Sequence, residues 1–182
     1  MKARYDWIGA DALPEAALLR SYREAGAYTD CFTARIAGVV SQAEYVEAFY
    51  TTGLFKLERL LLAWFVARPS TDAQARALAA AQVAAFAAWI VEARTADQLL
   101  LCDIHGRTRS WLMSAAVPGA TPPATLLYFG SAVIPINRLG GLNAMGPVFR
   151  LLLVFHKVYA RLLLRAAISR LLRAASRRSG AA

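Results

Sequence analysis

Residues 28–37, YTDCFTARIA, alternate strictly. Cys31, Thr33 and Arg35 fall on one side and Phe32, Ala34 and Ile36 on the other, a period of two that predicts a strand with one apolar face. The period then lengthens. Ser41 and Glu44 stand at the N-cap and N3 spacing of a capping box. Tyr45, Val46 and Phe49 share a face of the helix that follows. After Gly53, a second helix is expected over 54–69, with Leu54, Leu57, Leu61, Trp64 and Phe65 along one face and Pro69 closing it. Thr71 and Asp72 start an alanine-rich helical stretch over 71–85, whose small side chains allow only a shallow packing face. Upstream, Asp11 and Pro14 begin a short helix or turn over 11–25 that Gly26 ends.

Period two returns at Trp89. WIVEAR (89–94), a link at Thr95-Ala96 and DQLLLCD (97–103) predict a hairpin, and IHGR with Gly106 supplies a second turn. TRSWLMSAAV (108–117) is the next strand. Pro118, Pro122 and Pro123 make the following segment a loop. TLLYFGSAVI (125–134) completes the meander, giving five strands in all. An irregular connection over 136–147 holds Gly140, Gly141 and Gly146. A long helix is expected over 147–175, with Pro147 in its first turn. Arg150, Lys157 and Arg161 form a narrow stripe on it, and Leu151, Leu152, Phe155, Val158, Tyr159, Leu162 and Leu163 fill the rest of its circumference. Residues 176–182 read as a disordered basic tail. The order is strand, two or three helices, at least four antiparallel strands and a long helix. It predicts one α+β domain over 1–175, with the terminal helix covering a sheet face.

That order, carried by YTDCF (28–32), AAWIVEARTADQLLLCDIHGRTRSWL (87–112), TLLYFGSAV (125–133) and VFHKVYARLLLRAA (154–167), resembles the START-like superfamily, also called SRPBCC or helix-grip proteins. Within or near it, the chain is similar to a bacterial family of unknown function. The resemblance implies a curved antiparallel sheet wrapped on the C-terminal helix, often around an apolar cavity, and ligand binding as a habit of the superfamily. It implies no particular ligand. Larger helix-grip proteins have six or seven strands, so five strands with short connections imply a small or collapsed cavity.

Composition narrows the picture. Of the 182 residues 58% are hydrophobic and 18% charged, which excludes a disordered chain. The net charge of +9 lies entirely in residues 138–182, which carry nine Lys or Arg and no acid, whereas 1–137 balance 12 basic against 12 acidic side chains. Such a segment suits an anionic membrane surface, or is simply a solvated helix face whose cations complement the helix dipole. Nucleic acid is an improbable partner, because the stripe lacks interleaved aromatics and the sheet region is neutral. Two cysteines, Cys31 and Cys102, make no disulfide framework. No uncharged apolar stretch is long enough to span a bilayer, and the opening residues lack a secretory h-region. A cytoplasmic location is expected, with the inner membrane face as a docking alternative.

Chemical motifs are sparse. No CxxC, HxxxH, GxSxG, GxGxxG or P-loop spacing occurs, so neither a metal nor a cofactor is expected, and Ser110, Ser114 and Ser131 lack a nucleophile's context. His105 reads as an exposed turn residue. His156 lies near Leu152, Tyr159 and Leu163 on the helix. It is either a boundary histidine with a hydrogen-bond partner or a group that orients a ligand or exchanges protons. Arg109, Trp111 and Met113 share one strand face. Arg109 either anchors an anion beside an apolar wall or pairs across strands with Glu92, leaving Trp111 in the core. The candidate ligand-binding set is Trp89, Trp111 and Tyr128 for contact area, Arg109 for charge and His156 as a polar contact. The expected function is non-enzymatic binding of a small hydrophobic or amphipathic molecule between sheet and helix. One alternative is peripheral docking of the basic helix on a membrane. Another is an enzyme acting on a hydrophobic substrate, for which Asp30 with His156 is the pair available. The oligomeric state is left open.

Overall fold

The computed structural model describes residues 8–57, 70–134 and 147–180. The elements in chain order are β1 (Gly9–Ala10), α1 (Arg20–Glu24), β2 (Tyr28–Ala37), α2 (Gln42–Tyr50), α3 (Asp72–Ala79), β3 (Ala85–Phe86), β4 (Trp89–Arg94), β5 (Gln98–Asp103), β6 (Thr108–Ala116), β7 (Ala124–Val133) and α4 (Pro147–Ser179). A further helical turn covers residues 53–57. The fold is α+β and helix-grip-like, a curved antiparallel sheet of seven strands with the order β1-β2-β7-β6-β5-β4-β3 and a long C-terminal helix. Strands β3 to β7 form a meander, and β2 closes it by pairing with β7 over its whole length, from Tyr28↔Val133 to Ala37↔Ala124.

Local signals set the helix starts. Ser41 Oγ accepts from the Glu44 N–H at 3.3 Å, and the Ser41 N–H donates to Glu44 Oε2 at 3.0 Å. Thr71 and Gln74 repeat the same reciprocal cap on α3.

Three expectations change. The sheet has seven strands, not five, because β1 and β3 are two-residue edge strands too short to show a period. The alanine-rich helix ends at Ala79 instead of 85. Ala81 takes φ +58°, and the chain turns so that Phe86 joins the core. The terminal helix continues to Ser179 through most of the expected disordered tail. Nothing breaks it before Gly180, and Arg178 Nη1 meets Glu44 Oε1 at 3.0 Å beside the α2 cap. Residues 58–69 of the expected second helix, the glycine-bearing connection, and the side chains of Arg150, Leu151, Leu152 and Phe155 lie outside the described residues.

Both faces of the sheet are covered. On the inner face Phe32, Ile36, Leu99, Leu112, Leu127 and Phe129 meet Tyr45 and Phe49 of α2 and Leu164, Ala167 and Ile168 of α4. On the outer face Cys31, Leu100, Trp111 and Ala132 are roofed by Leu13, Ala17 and Leu19 from the N-terminal segment. Gly130 in β7 permits this close roof. A Cβ there would stand 2.8 Å from the Asp30 carbonyl oxygen and 2.9 Å from both Leu19 Cδ2 and Trp111 Cε3.

Candidate functional site

A cavity of about 180 Å³ lies between the inner sheet face, α2 with the turn after it, and α4. Phe49, Phe55, Trp89, Phe129, Tyr159 and Leu163 form its apolar wall, and Thr108, Ser110, Ser131 and His156 its polar part. The register explains the juxtaposition. Asp30 sits opposite Ser131, and Ser131 opposite Ser110, so one row across β2, β7 and β6 is polar. The neighbouring row, Phe32, Phe129 and Leu112, is apolar.

At the end of the polar row stands a closed network. Asp30 is 8% exposed, and its Oδ1 accepts from Ser131 Oγ at 2.6 Å and from the Ser131 N–H at 3.1 Å. His156 Nε2 lies 2.7 Å from Ser131 Oγ and 3.3 Å from Asp30 Oδ2. Burial pushes the Asp30 carboxyl upward, but the contacts with His156 and Ser131 outweigh it and hold the group below its ordinary range. Asp30 is therefore a carboxylate at neutral pH. The arrangement is not a nucleophilic triad. Ser131 gives its proton to the carboxylate, and the same imidazole nitrogen faces both partners, so the imidazole does not draw on the hydroxyl.

Of the expected binding set, Trp89 and His156 line the cavity. Trp89 Nε1 is buried and has no hydrogen-bond partner among the described residues. Arg109 borders the cavity, but its guanidinium is committed elsewhere. It meets Glu92 Oε2 at 2.7 Å, the Tyr22 hydroxyl at 2.9 Å and the Gly106 carbonyl at 2.7 Å. The cross-strand pair with Glu92 is thus present, and Tyr22 also bonds Glu92. Trp111 and Tyr128 do not face the cavity. Alternation in β6 and β7 turns Ser110, Phe129 and Ser131 inward, so Trp111 and Tyr128 turn outward, where their rings lie 6.1 Å apart. Trp111 is fully buried there, and its Nε1–H donates to Gln98 Oε1 at 2.9 Å.

Ser131 was not singled out by any motif, and Asp30 only as a partner for His156. The signal was present in the strand pattern. The alternation of Phe32, Ala34 and Ile36, continued back by two residues, puts Asp30 on the apolar inner side of β2. His105 is exposed in its turn, as expected. Cys31 and Cys102 are free thiols, and burial, aided by Asp11 and Asp30, pushes Cys31 up to about 12. Among the described residues no cluster of His, Cys, Asp or Glu could hold a metal, and no helix is long and apolar enough to cross a membrane.

A larger groove of about 350 Å³ runs between α2 and α4, but Glu44, Glu47, Arg170, Arg173, Arg177 and Arg178 line it. It is a charged surface cleft. The smaller cavity has the apolar wall with few polar groups that small-molecule sites share.

Comparison with protein families, with curated proteins and with solved structures gives no match to this chain in any of the three.

Proposed function

We propose that this protein binds a small, largely apolar molecule in the cavity between the sheet and α4, as a member of or relative to the START-like group. The observation that carries the reading is the aromatic cavity itself, with the polar row at one side. Its size narrows the guest. A void of about 150 Å³ lined by apolar side chains holds benzene, and drug-sized ligands occupy about 300 Å³ or more. At about 180 Å³ the guest is one ring with a short substituent, not a long-chain lipid. The binding set becomes Phe49, Trp89, Phe129, Leu163, Ser131 and His156. Arg109, Trp111 and Tyr128 hold the sheet together instead.

Titration with toluene, followed by amide and methyl NMR shifts, tests the proposal. Saturable shifts confined to residues around Phe49, Phe129 and Leu163 are expected, together with their loss in a folded Leu163→Trp variant that fills the space. Absent or scattered, non-saturating shifts would overturn it.

A second reading concerns the outer side of α4. Val158 and Leu162 are 50% and 47% exposed, and they lie beside the exposed Arg165 on a helix with no acidic residue. Apolar side chains beside an arginine suit an anionic bilayer, with about 1 kcal/mol from each cation near the surface. This would place the protein at the inner face of a membrane. Co-sedimentation with phosphatidylglycerol vesicles should weaken with salt, in Arg165→Glu and in Leu162→Asp. Binding that ignores Leu162→Asp would mark a simple polyanion site and remove the membrane reading.

A further inference from the structure

The chemistry of the guest follows from counting protons at the polar end, an inference that rests on the cavity reading and deepens it. Asp30, a carboxylate, only accepts. Ser131 has one hydroxyl proton, and the 2.6 Å contact with Asp30 Oδ1 places it there. The Ser131 oxygen therefore offers His156 Nε2 a lone pair at 2.7 Å, and Nε2 must carry the hydrogen. Asp30 Oδ2 at 3.3 Å faces the same N–H. In the neutral ring the other nitrogen, Nδ1, is then a bare acceptor. No described residue hydrogen-bonds it, and 31% of the His156 side chain remains accessible.

We propose that the cavity takes a small ring compound bearing a weakly acidic hydroxyl, a phenol or an enol, whose O–H donates to His156 Nδ1. His156 is the contact residue. Asp30 and Ser131 are positioning residues that fix its tautomer from the far side. An ether of the same size brings only an acceptor, which meets the Nδ1 lone pair unfavourably. A hydrocarbon leaves Nδ1 without a partner. The site thus selects a donor.

The test compares phenol, anisole and toluene, near-equal in size, at pH 7 by NMR titration of protein carrying ¹⁵N-histidine. Phenol is expected to bind about tenfold tighter than the other two, the effect of one added hydrogen bond, and to shift the His156 Nδ1 resonance. In His156→Phe the three should bind within about twofold of each other. In Ser131→Ala phenol should lose most of its advantage over toluene. Equal binding of all three to the unmodified protein would overturn this inference and leave the cavity reading standing. So would a phenol preference that survives His156→Phe. Binding of none would overturn both.

Discussion

Gln98 is 4% exposed, and its amide joins three parts of the outer face. Its Oε1 accepts from the Leu18 N–H and from Trp111 Nε1–H, and its Nε2 donates to the Ala16 carbonyl, each at 2.9 Å. It thereby ties the N-terminal segment to β5 and β6. Gln98→Leu keeps the volume and removes all three bonds. Ala16 is exposed and Leu18 half-buried, so water can replace part of what they lose. Trp111 is fully buried, and its indole N–H has no route to water. An orphaned buried donor costs about 1–3 kcal/mol. With about 1 kcal/mol for the two bonds to the segment, the expected loss is about 2–4 kcal/mol. That is a large fraction of the 5–15 kcal/mol typical of a domain. Urea unfolding measures it as a fall in midpoint at unchanged slope. The decisive control is the cycle with Trp111→Phe, which has no donor to orphan. In that background Gln98→Leu should cost about 1–3 kcal/mol less. A loss under about 0.5 kcal/mol, or an additive cycle, would refute the reasoning.

Other outcomes follow from the same contacts. Gly130→Ala places a Cβ within 2.8–2.9 Å of the Asp30 backbone, Leu19 and Trp111, so thermal unfolding should show a loss of about 1–3 kcal/mol. Asp30 has a lowered carboxyl, so the unfolded chain takes up the proton first as pH falls. The stability Asp30 contributes is complete above about pH 4 and is lost as pH drops through the lower folded value. Asp30→Asn should therefore be less stable at pH 7 and flatter between pH 5 and 2 in urea-midpoint measurements. An unchanged acid limb would contradict this. Cys31, 3% exposed with its thiol pushed up to about 12, should resist iodoacetamide at pH 8 until the protein unfolds, as mass spectrometry of the labelled peptides would show.

The five long strands, the Ser41–Glu44 capping box and the position of the terminal helix were legible because each rests on local chemistry, as in the alternation of YTDCFTARIA and a serine three residues before a glutamate. Which way a strand faces was not. In β6 both Trp111 and Leu112 are fully buried, because the sheet is covered on both sides, and period two then no longer distinguishes cavity from roof. The roof comes from Leu13, Ala17 and Leu19 in a segment with little regular structure, so nothing in its periodicity announced that role. Trp111 and Tyr128 accordingly lie under the roof and not on the cavity. Trp89 and His156 line the cavity, and the helical neighbours of His156 are what point it toward the sheet. Ser131 needed the register, which pairs it with Asp30 across 101 residues of chain.

The claim that matters most is the space between sheet and helix. Xenon enters apolar cavities of this size, and diffraction from a xenon-pressurised crystal would locate it. One ordered xenon among Phe49, Phe129 and Leu163 is the expected result. A map with no xenon between the sheet and α4, or with xenon only at other sites, would contradict the existence of a binding cavity there.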